Sequence, residues 1–390
     1  MSAADNRCGA GGFGGWLLAA IFASALVTLP APGASAAPAG GVDCLSADPP
    51  AISAPPRPIR FGITPLLAGS VGATQLEPKP EDRRAALARL QRLRPPRRQL
   101  VIRLNRMFWA DGVAGIRRYA AIVDRYARHG FDSELQVRYH PPQRAIGNMK
   151  AWRRYVRRAV RILGRRPSVR ALSITNEANF DVSPNTSDGS YEGVREAVVE
   201  GILAADRKLR RIGRRDIELG FSFAWRWIPS SDRSFWEEIG ARATPEFRRA
   251  LDYVGLQIYP YLVWPPAQAP GREPGDEVVE ALTLLRHCYL PKAGIGRRVD
   301  LWVSENGYAT NLGRAEAAQR RSLLSTLEAV HGYSGELGVS DYRWFNLRDN
   351  NSEGADLFDA VGVLRDDYSR KPAFSTLRRS IRRIGAGAVG

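Results

Sequence analysis

Residues 171–180 read ALSITNEANF, an apolar run that stops abruptly at the pair Asn176-Glu177. Taken alone, an amide beside a carboxylate fits the start of a helix with an acidic first turn. The neighbouring sequence changes that reading. VRALSITNE (169–177) is one of eight short β-like runs; the others are IRFGIT (59–64), QLVIRLN (99–105), SELQVRYH (133–140), IELGFSFAW (217–225), LDYVGLQIYPY (251–261), VDLWVSEN (299–306) and SDYRWFNL (340–347). They recur every ~35 to 50 residues, the length that a strand, a helix and their loops require.

Amphipathic stretches lie between the runs. In Glu192–Ile212 the apolar residues Val194, Ala197, Val198, Ile202, Ala205, Leu209 and Ile212 return every three to four positions, a helical period. Asp276–Leu290 and Ala315–Val330 behave similarly, and a last helix is expected near Pro372, a residue suited to a first helical turn. Eight β-α units imply an α/β fold, a single (β/α)8 TIM barrel over residues 59–385. The alternative is a doubly wound open sheet, which calls for a Gly-rich phosphate loop after an early strand, and no convincing one is present.

The chain has 390 residues, 44% hydrophobic and 25% charged, ordinary for a globular protein. After Arg7, the apolar run Trp16–Leu29 and the small residues Ala34–Ala36 resemble a signal peptide (1–36) cleaved near Ala36, which implies a secreted protein. The rival is an uncleaved membrane anchor, for which this run is short. Residues 37–58 are rich in Pro, Ala and Gly and read as a linker or arm. The formal net charge is +17. The arginines are scattered through helical stretches such as Arg153–Arg166 and are not interleaved with aromatics, so solvated helix faces explain them better than nucleic acid does. Attraction to an anionic cell-wall polymer is a second use for that charge.

In such barrels the active site sits at the C-terminal ends of the strands. Those ends carry Arg103, His140, Asn176-Glu177, Trp225, Gln257 with Tyr259, Glu305 and Trp344. Two glutamates, ending strands four and seven, suit glycosidic-bond cleavage: one protonates the leaving oxygen, the other attacks the anomeric carbon or activates water. An acidic residue straight after LWVS, as Glu305 is, is costly to bury unless its charge is used or paired.

TNEAN at strand four, WVSENG at strand seven and YRWFN at strand eight, in this order and spacing, resemble the clan A glycoside hydrolases, which include cellulases, mannanases, β-xylosidases and β-glucosidases. The resemblance covers residues 59 to about 380. It implies that Glu177 is the general acid/base and Glu305 the nucleophile of a retaining mechanism. It further implies that Asn176 bonds the sugar 2-hydroxyl, Tyr259 holds Glu305, Arg103 keeps it ionised, Trp344 forms the floor under the reacting ring, and His140 contacts sugar or acid. Gln257 stands where many relatives carry histidine, and Ala178 follows the first glutamate where family 1 β-glucosidases carry proline.

The long polar loop 178–193 follows the proposed acid directly, and Trp225, Trp227 and Trp264 in the loops after strands five and six are candidates for an aromatic-lined sugar cleft, with ordinary core packing as the alternative. Cys44 and Cys288 have no metal-site spacing. Cys288 ends the helix after strand six, near the barrel face from which strand one starts; the arm of about 15 residues from Cys44, at ~3.3–3.6 Å each, can bridge to it, and a disulfide is expected. The function expected is a secreted, monomeric retaining β-glycosidase with a carbohydrate substrate and neither metal nor cofactor. The alternative is an inactive carbohydrate- or cell-wall-binding barrel.

Overall fold

Runs of alternating or continuous apolar residues can bury both faces only if the sheet is covered outside and filled inside. The computed structural model describes residues 44, 46–65, 78–182, 184, 186–225, 229–263, 265 and 267–387. In it, β1 (Arg60–Ile63), β2 (Val101–Phe108), β3 (Ser133–Arg138), β4 (Val169–Ile174), β5 (Glu218–Ala224), β6 (Tyr253–Gln257), β7 (Asp300–Asn306) and β8 (Val339–Trp344) pair in parallel and in chain order. β8 returns to β1, so the sheet is a closed barrel and not an open one. The signal-like segment, residues 37–43 and 45 of the arm, Trp227 and Trp264 lie outside the described residues.

The helices are α1 (Arg83–Leu93), α2 (Gly112–Ala127), α3 (Met149–Leu163), α4 (Val194–Arg211), α5 (Pro229–Arg242), α6 (Pro245–Ala250), α7 (Pro274–Leu284), α8 (Leu290–Lys292), α9 (Glu316–Leu337) and α10 (Pro372–Ile384). Their apolar stripes cover the outward side chains of the strands: Trp152, Val156 and Val160 of α3 join Leu135, Val137, Leu172 and Ile174 in one buried core. Burying each such side chain contributes about 1.5–3 kcal/mol. Among the described residues, no helix is long and apolar enough to cross a membrane.

The inward faces are charged. Arg60 pairs with Glu218 (2.5 Å) and Asp341 (2.7 Å), Arg343 with Asp341 (2.7 Å) and Glu134 (2.7 Å), and Arg103 with Glu134 (3.4 Å) and Glu305 (2.5 Å). Signs alternate through this column from β1 and β8 up to the end of β7, which is how charges survive burial. Tyr253 and Trp302 stack beside it at 3.5 Å, with the guanidiniums of Arg60 and Arg343 each 5.0 Å from the Trp302 ring. Gly220 admits that stack, since a Cβ there would lie 2.5 Å from the Tyr253 ring.

Register shifts interrupt the ladders near the C-terminal ends, between Leu104 and Met107 of β2 and around Gln257 and Glu305 of β6 and β7. Such bulges re-aim side chains at sites.

Cys44 and Cys288 form a disulfide with Cα atoms 5.8 Å apart. Cys288 lies in the π-helical segment Leu285–Tyr289 between α7 and α8. The bridge closes a loop of 244 residues, so Cys44→Ser is expected to cost about 2–4 kcal/mol, read as a lower urea midpoint.

Candidate active site

β7 delivers Glu305 to the barrel mouth, where it is 6% exposed. Arg103, fully buried on β2, forms an ion pair with Oε1 through Nη1 at 2.5 Å, and the Tyr259 hydroxyl donates to Oε2 at 2.6 Å. Both oxygens are thereby held, and charge-assisted bonds of this kind fix geometry strongly. Burial, then the charge of Glu305, push the Tyr259 phenol well above its ordinary range, so it remains a donor.

Glu177 is placed by a bent segment beyond β4. Thr175 and Glu177 adopt φ of 67° and 46°, left-handed values that non-glycine residues hold only under constraint. The constraint is visible. The backbone N–H of Thr175 donates to the Val137 carbonyl (2.9 Å), that of Asn176 to Asp188 Oδ2 (2.8 Å) and that of Glu177 to Ser222 Oγ (3.0 Å). Asp188, buried in the loop after β4, also accepts from Arg138 Nε (2.7 Å) and the Tyr139 N–H (2.8 Å), tying the ends of β3 and β4 together. Asn176 Oδ1 accepts from Gln136 at 2.7 Å while its Nδ2 donates to the Thr186 carbonyl at 2.5 Å, which leaves the amide one orientation.

Glu177 is half-buried, and burial first, then the charge of Glu305, raise its carboxyl well above the usual range; Arg138 and Arg103 oppose this without cancelling it. The Gln257 amide lies 2.7 Å from Glu177 Oε1. Presenting its oxygen, Gln257 accepts from a protonated Glu177 while its nitrogen donates to Asn176 Oδ1 at 2.8 Å. Presenting its nitrogen, it donates to an ionised Glu177 and accepts from Ser222 Oγ and Arg103 Nη2, each at 3.1 Å. The first orientation leaves Arg103 Nη2 against an N–H; the second leaves Asn176 Oδ1 against an oxygen. With Asn176 anchored to Thr186, the raised carboxyl of Glu177 favours the first.

Glu177 and Glu305 line one cavity of about 190 Å³ with Asn176, Gln257, Tyr259 and Trp225. Two residues expected there are elsewhere. Trp344 is fully buried in the outer core, because the alternation that turns Asp341 and Arg343 inward turns residue 344 outward. The wall comes instead from Phe345, with Leu357 and Phe358. His140 stands beside Phe108 (ring centroids 5.0 Å apart) and Tyr191, whose hydroxyl lies 2.8 Å from Nδ1, and it does not line the cavity.

Gln136, Arg138, Asp188, Ser222 and Phe345 were missed from the sequence. The signal was present for two of them: in SELQVR, polar residues at 134, 136 and 138 share one strand face, incompatible with an outward apolar contact. Among the described residues, no group of three His, Cys, Asp or Glu could hold a metal ion.

The fold is a closed (β/α)8 barrel, and solved glucosidase structures share it. The chain is similar to GH5_18 from Streptomyces cattleya in complex with GlcNAc (14% identity, 84% of this chain and 80% of that one, TM-score 0.58). It is similar also to a β-glucosidase from Thermotoga maritima (12% identity, 86% and 100% covered, TM-score 0.56) and a glucosidase from Croceicoccus marinus (14% identity, 87% and 70% covered, TM-score 0.56). At these identities the likeness establishes a shared fold. No family model matches the chain, and no curated protein does.

Proposed function

We propose that the chain is a secreted retaining β-glycosidase acting on an oligosaccharide or polysaccharide. The observation that carries this is the contrast between two glutamates on one cavity. Glu305 is clamped by Arg103 and Tyr259, whereas Glu177 is left without a cation of its own and has its carboxyl raised. Environments that separate two carboxyls in this way divide acid from nucleophile. The glycosidases among similar barrels, the disulfide and the signal-like N-terminus support the reading.

In the first step a Glu305 oxygen bonds the anomeric carbon as the C–O bond to the leaving group breaks, and Glu177 transfers its proton to that oxygen. The ester removes the Glu305 charge, which after burial is the next cause raising the Glu177 carboxyl, so Glu177 now takes a proton from water. That water attacks the anomeric carbon, Glu305 leaves as carboxylate, and the sugar departs with its configuration retained. Asn176 Nδ2 sits 3.5 Å from Glu177 Oε2.

Hydrolysis of any aryl β-glycoside tests the reading, and a complete screen without turnover sinks it. The pH dependence is a second test. Glu177 keeps its proton when folded at pH values where the unfolded chain, with a glutamate pKa of about 4.3, has lost it. The folded state then binds more protons, so this group makes stability fall as pH rises above that value toward the folded pKa. Glu177→Gln is expected to match wild type in urea midpoint near pH 4 and to exceed it increasingly toward neutrality. On the same grounds kcat/KM should decline on the alkaline side as Glu177 ionises.

A further inference from the structure

We propose that the β2–β3 side of this cavity is a subsite for an anionic group on the sugar, a uronate carboxylate or a sulfate ester, held by Arg106 and Arg138; the inference rests on the glycosidase reading of the same cavity. Both arginines line the cavity. The shift in register between Leu104 and Met107 lets consecutive residues, Asn105 and Arg106, face it together, which a regular strand forbids.

Arg138 is 2% exposed. Its Nε donates to Asp188 Oδ1 at 2.7 Å, but its Nη2 is buried with no hydrogen-bond partner. A buried guanidinium N–H without an acceptor is costly and is normally satisfied by something. Arg106 is half-buried and forms no ion pair among the described residues. The two guanidiniums lie 5.4 and 5.2 Å from the same ring, that of Phe108. Burial, then the neighbouring charge of Arg138, depress the Arg106 guanidinium, and Asp111, the carboxylate nearest in effect, is itself paired with Arg118.

The remaining charges leave this excess uncompensated. Arg103 is engaged by Glu134 and Glu305, Asp188 serves Arg138 through Nε, and Glu177 forms no ion pair with either arginine among the described residues. A guanidinium fork matches the spacing of carboxylate or sulfate oxygens. The apolar wall of Phe345, Leu357 and Phe358 remains free for the ring face of the same substrate.

The test uses nitrophenyl β-glycosides in matched sets of gluco, galacto and manno configuration, each as the neutral glycoside, the uronide and the 6-sulfate. For at least one set, the anionic member should show a kcat/KM about ten- to a hundredfold above its neutral counterpart. In Arg106→Gln that ratio should fall to within about threefold, with the loss in KM, while Arg106→Lys should retain part of it. The uronide and sulfate arms identify which anion is taken. If every active set prefers the neutral member, or Arg106→Gln leaves the ratio unchanged, the anionic subsite is wrong while the glycosidase reading stands. If nothing is hydrolysed, the glycosidase reading fails instead, and thermal shifts with free uronic acids, sulfated sugars and neutral sugars decide the subsite. Stabilisation by the anionic sugars of wild type but not of Arg106→Gln retains it, and no such difference overturns it.

Discussion

Replacing Glu305 by alanine is expected to lower kcat by about four to six orders of magnitude on every substrate, because each glycoside needs the nucleophile. Among the described residues no other carboxylate shares the cavity with Glu177, so none is placed to substitute. Arg103 would keep Glu134 as partner in the variant, and Glu305→Gln, which keeps the volume and can still accept from Tyr259, guards against a loss caused by misfolding. Glu177→Ala should behave differently. A general acid contributes about 10²–10⁴-fold when the leaving group is poor. With dinitrophenyl glycosides the first step should survive and the second should slow. Single-turnover rates for the two variants on activated and unactivated substrates check this asymmetry.

Arg343→Met is expected to destabilise the barrel most, by about 3–5 kcal/mol, since removing one partner of a buried ion pair leaves uncompensated charge. Arg343 alone joins Asp341 to Glu134, at 2.7 Å each, and it also donates to the Arg60 carbonyl at 2.7 Å. Asp341 is fully buried; burial opposes its ionisation, but the charges of Arg343 and Arg60 outweigh that and hold it below the usual range. Urea midpoints of the single variant and of Glu134→Gln/Arg343→Met should show the second change recovering part of the loss. A loss under about 1 kcal/mol would mean that the column contributes no more than an exposed pair.

The architecture was legible because the strand runs are apolar enough to be counted. The run at 133–140 ends as strand at Arg138 and that at 251–261 narrows to Tyr253–Gln257, losses confined to ends where the chain turns into loops. The two glutamates were readable from their positions at and just beyond strand ends, whereas Arg103, expected at a strand end, lies inside β2, which runs on to Phe108. The contents of the barrel were harder to read. Asp341, Arg343 and Glu134 look like ordinary surface charges until the two-residue period assigns them one face and the closed barrel puts that face inside. The same period, applied strictly along YRWF, places Phe345 and not Trp344 on the cavity side; residue size drew attention to the wrong aromatic. Arg106 was beyond reach, because a bulge leaves no mark in a single sequence and only the bulge brings it to the cavity.

The assignment of Glu177 and Glu305 is tested most directly by azide rescue. Glu177→Ala, given a dinitrophenyl β-glycoside and sodium azide, should regain turnover and release the β-glycosyl azide, since azide needs no base and attacks the Glu305 ester from the face that water would use. Glu305→Ala should yield no β-glycosyl azide. An α-glycosyl azide from Glu177→Ala, or a β-glycosyl azide from Glu305→Ala, would contradict the assigned roles.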